Sequence, residues 1–249
     1  MNPMTTKLDL TSYRRMIRPL SVYSEMSRAE GIAGHIKWEI GEEIRLYGQD
    51  SPAIPTRLSV VRLNANVATG GNHPDILTEV PKTRGFGAST DGRDVRIKIN
   101  PEKDHITIQS DTLRYHMSKS IGAPDIVLKQ QYLPMNDIKL KASIPSDTLR
   151  KYFQLAPSGP LTLKISEHTV KFVTKGVTTK AIFDLTKYLT SSPDRAETEQ
   201  VYNLYPLTEV ICKFPSVGEI ELLINENLIG FRYSFSNNVG SLHHYQRSK

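Results

Sequence analysis

The sequence has little of what secreted and membrane-spanning proteins require. Its 249 residues include one cysteine, Cys212, so no disulfide can form within the chain, and this is typical of a reducing compartment. No apolar run approaches the roughly 18 residues of a membrane-spanning helix. The N-terminal segment also lacks the apolar core of a signal peptide. We therefore expect a protein that is not secreted and has no membrane partner, cytoplasmic or, in a eukaryotic host, nuclear.

Sequence patterns that support catalysis or hold metals are also missing. The seven histidines form neither an HExxH nor an H-x-x-x-H pattern, and there is no cysteine pair to complete a zinc site. The sequence contains no GxxxxGK[ST] phosphate loop and no GxSxG nucleophile elbow. Cys212 reads as a small core residue rather than a nucleophile. We expect no catalytic residues, no metal, no cofactor and no enzymatic activity.

What the sequence does have is an excess of positive charge. It contains 32 Lys and Arg against 26 Asp and Glu, a formal net charge of +6. Such an excess favours a polyanionic partner without specifying one, and a merely basic protein is an equally open interpretation. An apolar content of 38% with 8% aromatic residues is sufficient for a packed core and excludes a disordered chain.

One stretch, Ile144 to Leu185, predicts a complete structural unit. Pro145 precedes Ser146 or Asp147 as the N-cap of a helix. An apolar stripe at helical spacing follows, with polar residues on the other side of the helix; the stripe comprises Leu149, Tyr152, Phe153 and Leu155. Three segments of alternating apolar and polar residues come next, as in half-buried strands. The unit is therefore a helix on an antiparallel meander.

The same unit recurs about four times, at spacings near 60 residues. The other predicted helices lie in Leu10 to Leu20, Pro74 to Val80 and Leu204 to Phe214, with Thr11 or Ser12 capping the first and Pro19 ending or kinking it. Pairing the units gives two halves. We predict an α+β protein with two tandem helix-backed antiparallel-sheet domains, residues 1–117 and 136–249, joined by a connector at 118–135.

The helices share a basic outer side. The cations are Arg14, Arg15 and Arg18 on the first helix, Arg150 and Lys151 on the third and Lys213 on the fourth, with Lys82 and Arg84 in a loop. Lys and Arg on helices can contact phosphates without reading sequence. A solvated basic face is the alternative for any single helix, and Lys213 could simply pair with Glu209 one turn earlier.

Several segments together resemble the sliding clamps of the proliferating cell nuclear antigen (PCNA) type. Residues 240–245 match G-x-L-x-x-Y at the family's last strand, and residues 231–235 fit the strand before it. The segment IPSDTLRKYF fits the family's helix start, with Lys151 at a DNA-facing basic position. Lys213 in VICKF matches a DNA-facing lysine, and GQDS resembles M-D-[PS]-S after the second strand. The resemblance covers nearly the whole chain.

This resemblance implies a ring, usually a homotrimer, around duplex DNA, which tethers a DNA polymerase and is opened by a clamp loader. The helical cations listed above would bind DNA independently of sequence. Subunits would join along two sheet edges, one at Thr107, Gln109 and Tyr115 and the other at Lys180, Ile182 and Asp184. Partner peptides of the PIP type would bind at Tyr132, Leu133, Pro134, Leu228 and Tyr245, for which ordinary strand and linker packing is the alternative.

The sequence also departs from the family. Residues 246–249 (QRSK) replace the C-terminal L-A-P-K that helps to bind partner peptides, and Pro52 to Pro55 resembles a short insertion. The overall basic charge is unusual, because such clamps are commonly acidic on their outside. The expected function is a DNA sliding clamp and polymerase processivity factor in replication and repair. The alternative is a clamp-like accessory protein, viral or transcriptional, that forms no ring and serves as a protein-binding platform.

Overall fold

The computed structural model describes residues 4–23, 35–41, 43–50, 57–64, 76–79, 94–100, 105–110, 114–118, 137–192, 197–235 and 239–249. The chain divides into two compact units. Unit 1 takes Met1–Pro55, Ser59–Gln130 and Phe235–Leu242, and unit 2 takes Thr56–Leu58, Gln131–Ser234 and His243–Lys249. The connector predicted for 118–135 lies, apart from Ser118, outside the described residues.

The described residues of unit 1 form strands of two sheets and the helix α1. Its elements are β1 (Met4–Asp9), α1 (Leu10–Ile17), a 3₁₀ turn (Arg18–Leu20), β2 (His35–Ile40), β3 (Ile44–Gln49), β4 (Arg57–Leu63, whose first two residues belong to unit 2), β5 (Ile76–Glu79), β6 (Asp94–Asn100), β7 (His105–Gln109) and β8 (Arg114–Ser118). One antiparallel sheet has the order β1-β6-β7-β8. The other strands neighbour each other in the order β5-β2-β3-β4.

The first sheet of unit 1 buries one side against α1. Apolar side chains alternate along its strands, and Val95, Ile97 and Ile99 on β6 are buried while Arg96 between them is exposed. The helix contacts β1 and β6, and it buries Tyr13 among other apolar side chains. The two-residue period of the strands thus directs polar side chains away from the helix.

Unit 2 repeats this plan with two helices. Its elements are β9 (Leu140–Pro145), α2 (Ser146–Leu155), β10 (Pro160–Ile165), β11 (Val170–Lys175), β12 (Lys180–Asp184), a 3₁₀ turn (Thr186–Tyr188), β13 (Thr198–Asn203), α3 (Leu204–Ile211), β14 (Glu219–Ile224), β15 (Leu228–Ser234) and β16 (Gly240–Arg247), whose first three residues belong to unit 1. One sheet has the order β12-β11-β10-β13 and the other strands follow β16-β15-β14-β9.

Aromatic side chains from α2 and both groups of strands fill the core of unit 2. The ring of Phe153 lies 6.3 Å from that of Phe172 on β11 and 6.1 Å from that of Phe231 on β15, edge-to-face in both pairs. Such pairs add about 1 kcal/mol each beyond the burial of their area. The helix α2 also packs against α3 and β9, so Phe153 is the centre of this core.

The structure confirms several local predictions. The first α-helix ends at Ile17, and Pro19 lies in the 3₁₀ turn, with residues 21–23 helical again. A proline in a longer helix would leave a carbonyl without its donor, which explains the break. The helix predicted after Pro145 and the three strands after it are present as α2, β10, β11 and β12.

The helix predicted at Pro74 to Val80 is wrong. Residues Ile76–Glu79 form the strand β5, which pairs antiparallel with β2. Ile76 and Thr78 are fully buried while Glu79 is exposed, which is the alternation of a strand, and the indole of Trp38 donates to the hydroxyl of Thr78 at 2.9 Å. Pairing with β2 determines that this segment is a strand. Four residues are too few for hydrophobic periodicity to distinguish a strand from a helix.

Three details of α2 differ from prediction. The N-cap is Pro145, without a side-chain cap, and Ser146 instead donates its hydroxyl to the carbonyl of Pro215. Leu155, placed in the apolar stripe, is 80% exposed. It follows Leu149 by six positions, and at 3.6 residues per turn this puts it about 120° around the helix from Leu149.

The other predicted boundaries also shift. The helix α1 begins at Leu10, so neither Thr11 nor Ser12 is its cap. Both Cys212 and Lys213 lie beyond the last residue of α3, in the turn that ends it. Sequence analysis also did not identify β13, which begins at Thr198 and pairs with β10.

Candidate nucleic-acid interface

The cations of α1 lie on the side of the helix that the sheet leaves uncovered. Tyr13, Met16 and Ile17 are buried, whereas Arg14 and Arg15 are half-buried and Arg18 is exposed. Among the described residues, none of these three arginines forms an ion pair with a carboxylate. Their charge is therefore available to an external anion.

The cations of α2 and its neighbour already have partners within the chain. Lys151 Nζ lies 2.6 Å from Asp147 Oδ2, one helical turn earlier. Arg150 donates from Nη2 to the backbone carbonyl of Cys212 at 3.2 Å, which ties α2 to the end of α3. Lys213 is half-buried and lies in the turn that ends α3. Because Asp147 lies beside Lys151, this surface is less positive than the arginine side of α1.

Five of the predicted site residues lie outside the described residues. These are the loop cations Lys82 and Arg84 and the connector residues Tyr132, Leu133 and Pro134. Their roles stay predictions.

Two predicted peptide-binding residues lie on neighbouring strands of unit 2. Leu228 begins β15 and is only 5% exposed, so it could form at most the floor of a peptide groove. Tyr245 on β16 is half-buried, and its hydroxyl lies 2.9 Å from Nδ1 of His243. A peptide would therefore meet the ring of Tyr245 before the side chain of Leu228.

The chain after Tyr245 is held against unit 2, which sequence reasoning did not predict. Gln246 donates from Nε2 to the carbonyl of Asn203 at 2.9 Å. The amide of Ser248 donates to the carbonyl of Asn227, and that of Lys249 to the carbonyl of Val201, each at 2.8 Å. Two of these three hydrogen bonds are donated by backbone amides. Because every residue except proline has such an amide, the sequence could not indicate these two contacts.

Some of the residues predicted for subunit contacts lie on edge strands and others on an inner strand. Tyr115 lies on β8 and the trio Lys180, Ile182 and Asp184 lies on β12, and each strand ends its four-stranded sheet. Thr107 and Gln109 were predicted at the same edge as Tyr115. They lie instead on β7, which is paired on both sides, because β8 follows it as an additional strand.

The strand β12 is an open edge with one conspicuous side chain. Ile182 is 54% exposed, although isoleucine is usually buried. Asp184 accepts a hydrogen bond from the amide of Thr186 at 2.9 Å. Hydrogen bonding from Thr186, with smaller help from nearby lysines, lowers the pKa of this carboxyl.

Nothing in the described residues suggests catalysis. No group of three or more His, Cys, Asp or Glu among them could hold a metal ion. Burial raises the pKa of the Cys212 thiol, and the charge of Arg150 offsets this rise only in part. The thiol is therefore a poor nucleophile. No described helix is long and apolar enough to cross a membrane.

The fold matches known structures over the whole chain, although no protein-family model and no curated protein sequence matches it. The PCNA2–PCNA3 complex from Sulfolobus tokodaii superimposes with a TM-score of 0.70 at 11% identity over 99% of both chains. A. fulgidus PCNA, solved with the C-terminal region of FEN-1, gives 0.72 at 10% identity over 99% of this chain and 98% of that one.

A bacterial clamp subunit shares the architecture but is longer. The DNA polymerase III subunit beta from Pseudomonas aeruginosa superimposes with a TM-score of 0.62 at 12% identity, covering 99% of this chain and 65% of the other. The chain therefore has the fold of a PCNA-type sliding clamp, and the predicted α+β class is confirmed.

Proposed function

We propose that this protein is a subunit of a DNA sliding clamp that encircles duplex DNA and acts as a polymerase processivity factor. The observation that carries the proposal is the clamp fold, which extends over 99% of the chain. The arginines on the helix of the first unit support the proposal, because none of them pairs with a carboxylate among the described residues. A sliding clamp needs a basic helical surface on this fold, and the arginines of the first unit would supply it.

The helices would hold DNA through its phosphates. Each phosphate neutralised by Lys or Arg releases counterions, so binding weakens as salt rises, whatever the base sequence. In a ring a topological link replaces tight binding, and the protein can slide. A polymerase tethered to that ring would stay near the primer end at an effective concentration in the mM range. Such a role places the protein with the replicating DNA, in the cytoplasm or in a nucleus.

The open edges of the two sheets support assembly into a homotrimer. In this arrangement β8 of one subunit pairs with β12 of the next, so that each interface continues a sheet. Pairing would also protect two edges that would otherwise invite aggregation. Tyr115 on one side and Ile182 on the other would then be interface residues.

Replication proteins, including DNA polymerase and a clamp loader, would be the protein partners, with a peptide site at Leu228 and Tyr245. The PCNA from A. fulgidus was solved with a segment of FEN-1, which supports peptide docking as a property of this fold. The tail after Tyr245 is held against β13 here, so a peptide would have to bind beside it or displace it.

A second function is favoured by the helices of unit 2. Because Lys151 already pairs with Asp147, the basic side of that unit is weaker than that of α1. This suits a clamp-like accessory protein that forms no ring and serves as a monomeric platform for other proteins.

Light scattering after size exclusion distinguishes the two functions. A ring predicts a mass of three times 28.1 kDa at micromolar concentration, whereas a stable monomer of 28.1 kDa supports the platform. A second measurement tests the topological link. The protein, loaded onto a nicked circular plasmid, should remain bound in high salt and dissociate once a restriction enzyme linearises the plasmid. Retention that is the same before and after cutting would reject the sliding clamp.

A further inference from the structure

In unit 1, the sheet β1-β6-β7-β8 has a cationic outer face, on the side away from α1. Strand alternation puts Arg96 and Lys98 of β6 on this face together with Arg114 and His116 of β8. Arg96, Arg114 and His116 are exposed and Lys98 is half-buried. No carboxylate among the described residues forms an ion pair with any of these side chains.

The cross-strand register shows why these charges are not compensated within the sheet. Arg96 lies opposite Gln109, which in turn lies opposite Arg114, and on its other side Arg96 is in register with Lys7 of β1. Among the side chains that the structure describes, this row therefore places two arginines beside a neutral amide. The next row places Lys98 opposite Thr107. Acidic residues enter only at the end of the strands, where Asp9 is in register with Asp94.

The corresponding sheet of unit 2 is built differently. Its comparable row is Glu199, Lys164, Lys171 and Asp184 across β13, β10, β11 and β12. Lys164 Nζ lies 2.8 Å from Glu199 Oε2, and Lys171 lies opposite Asp184 and helps to lower the pKa of its carboxyl. Each lysine has an acid across the strand. In this row the charges are thus balanced in unit 2 and cationic in unit 1, although another row of the unit 2 sheet places Lys175 opposite Lys180.

We propose that this cationic face is a second nucleic-acid site, which binds the sugar–phosphate backbone of a DNA duplex independently of base sequence. Residues two apart on a strand are separated by about 7 Å, and strands two apart by about 10 Å. These spacings fall between the widths of the minor and major grooves of B-DNA, about 6 Å and 12 Å, so Arg96, Lys98 and Arg114 can meet different phosphates.

The uncharged side chains favour a duplex over a single strand. Apart from the cations and the acidic pair Asp9 and Asp94 at one end, the described residues of this face are Thr, Asn, Gln, Ser and His, without Phe, Tyr or Trp. Proteins that bind single strands without sequence preference stack bases on such aromatic rings. A face that offers cations and short polar groups suits phosphates alone. The site is separate from α1, and it does not require a ring, so its existence is independent of the function proposed above.

The test measures the affinity of the full-length protein for a 30-base-pair linear duplex by fluorescence anisotropy between 50 and 300 mM KCl. The variant R96Q/K98Q removes two cations from β6 and leaves the edge strand β8 intact. Its matched control, K164Q/K171Q, changes the net charge by the same amount in the corresponding row of the unit 2 sheet. Two lost phosphate contacts should lower the slope of log K against log salt by roughly 1.8, whereas the control should keep the slope of the unmodified protein.

Two outcomes would overturn the proposal. In the first, R96Q/K98Q keeps the slope and affinity of the unmodified protein, or loses no more than the control. In the second, it keeps duplex binding but loses affinity for a polyglutamate peptide, which would make the partner an acidic protein segment. Melting temperatures verify that both variants are folded.

The variant R14Q/R15Q separates this proposal from the sliding-clamp function. It should weaken duplex binding through the helical surface, and adding R96Q/K98Q to it should weaken binding further. A loss with R14Q/R15Q but no additional loss would leave the helical surface as the only DNA site and reject the sheet site. An effect of R96Q/K98Q without any effect of R14Q/R15Q would support the sheet site and count against the helical one.

Discussion

Asp147 holds the ammonium group of Lys151 at 2.6 Å, across one turn of α2. Both side chains are more than half exposed, and an exposed pair at this spacing contributes only about 0.3–0.5 kcal/mol. A phosphate can therefore replace the carboxylate. In the proposed clamp, the pair would make the DNA affinity of this helix adjustable through a single acidic residue.

The substitution Asp147→Asn should increase the affinity for duplex DNA at low salt. It removes a negative charge beside the expected phosphate position and releases Lys151. The reverse change, Lys151→Ala, should weaken binding and lower the salt slope by about 1, as should Lys213→Ala. Titration of a labelled duplex at several KCl concentrations measures both effects. An affinity that is unchanged in D147N and K151A alike would place this helix away from DNA.

Replacing Ile182 by Lys should dissociate the proposed trimer without unfolding the subunit. The side chain is 54% exposed in the single chain, so a charged replacement costs the isolated subunit little, whereas burial of that charge in an interface costs several kcal/mol. Val177→Lys is the control, because Val177 is fully exposed in the turn between β11 and β12. Light scattering should give a monomer for I182K and a trimer for V177K. A trimer in both would exclude β12 from the interface.

The substitution Gly240→Ala should lower the free energy of unfolding by about 2 kcal/mol or more. A Cβ at this position would lie 2.0 Å from the carbonyl oxygen of Arg62, and the backbone has a φ of +153°. Backbone atoms cannot move aside as the end of a side chain can. The matched control is Gly41→Ala, where a Cβ would meet nothing within 4 Å.

Urea denaturation of both alanine variants measures the difference. A loss in G41A that equals the loss in G240A would show that the entropy of glycine, and not the contact with Arg62, causes the effect.

Cys212 should react slowly with iodoacetamide in the folded protein. Burial raises the pKa of its thiol above the ordinary value of 9.0, and the thiolate is the reactive form. We expect alkylation at pH 8 to be on the order of tenfold slower than in guanidinium chloride, where the thiol is exposed. Mass spectrometry over time measures both rates. Equal rates would mean that the turn after α3 opens readily.

The same shift determines how Cys212 affects stability at alkaline pH. Since the folded state holds the thiol proton more tightly than the unfolded state, the stabilisation is complete below the unfolded pKa. It is lost as the pH rises through the higher folded pKa. Cys212→Ala should therefore reduce the decline in melting temperature above pH 9, and a decline of unchanged steepness would assign it to other groups.

Local sequence patterns predicted the parts of the fold that depend on periodicity. The strands β10, β11 and β12 followed from alternation, and the break at Pro19 followed from a missing backbone donor. The strand Ile76–Glu79 could not be predicted in this way, because four residues fit a helical turn and a strand equally well. Only the neighbouring β2, whose Trp38 donates to Thr78, distinguishes the two. Leu155 was placed on the wrong side since apolarity alone gave it more weight than its angular position.

The candidate surfaces show the same limit. Sequence identified the cations of α1, because Arg14 and Arg18 share a helix face at i, i+4. It did not reveal that Lys151 would be held by Asp147, or that Thr107 and Gln109 would lie on an inner strand. The cationic sheet face also escaped notice, since Arg96 and Arg114 are 18 positions apart.

The sequence by itself determined the amphipathic elements, because backbone geometry repeats every 3.6 residues in a helix and every two in a strand. Only the tertiary structure decided which charges face one another. Strand register brings Lys164 to Glu199 but Arg96 to Gln109, and register is a property of paired strands, not of either strand alone.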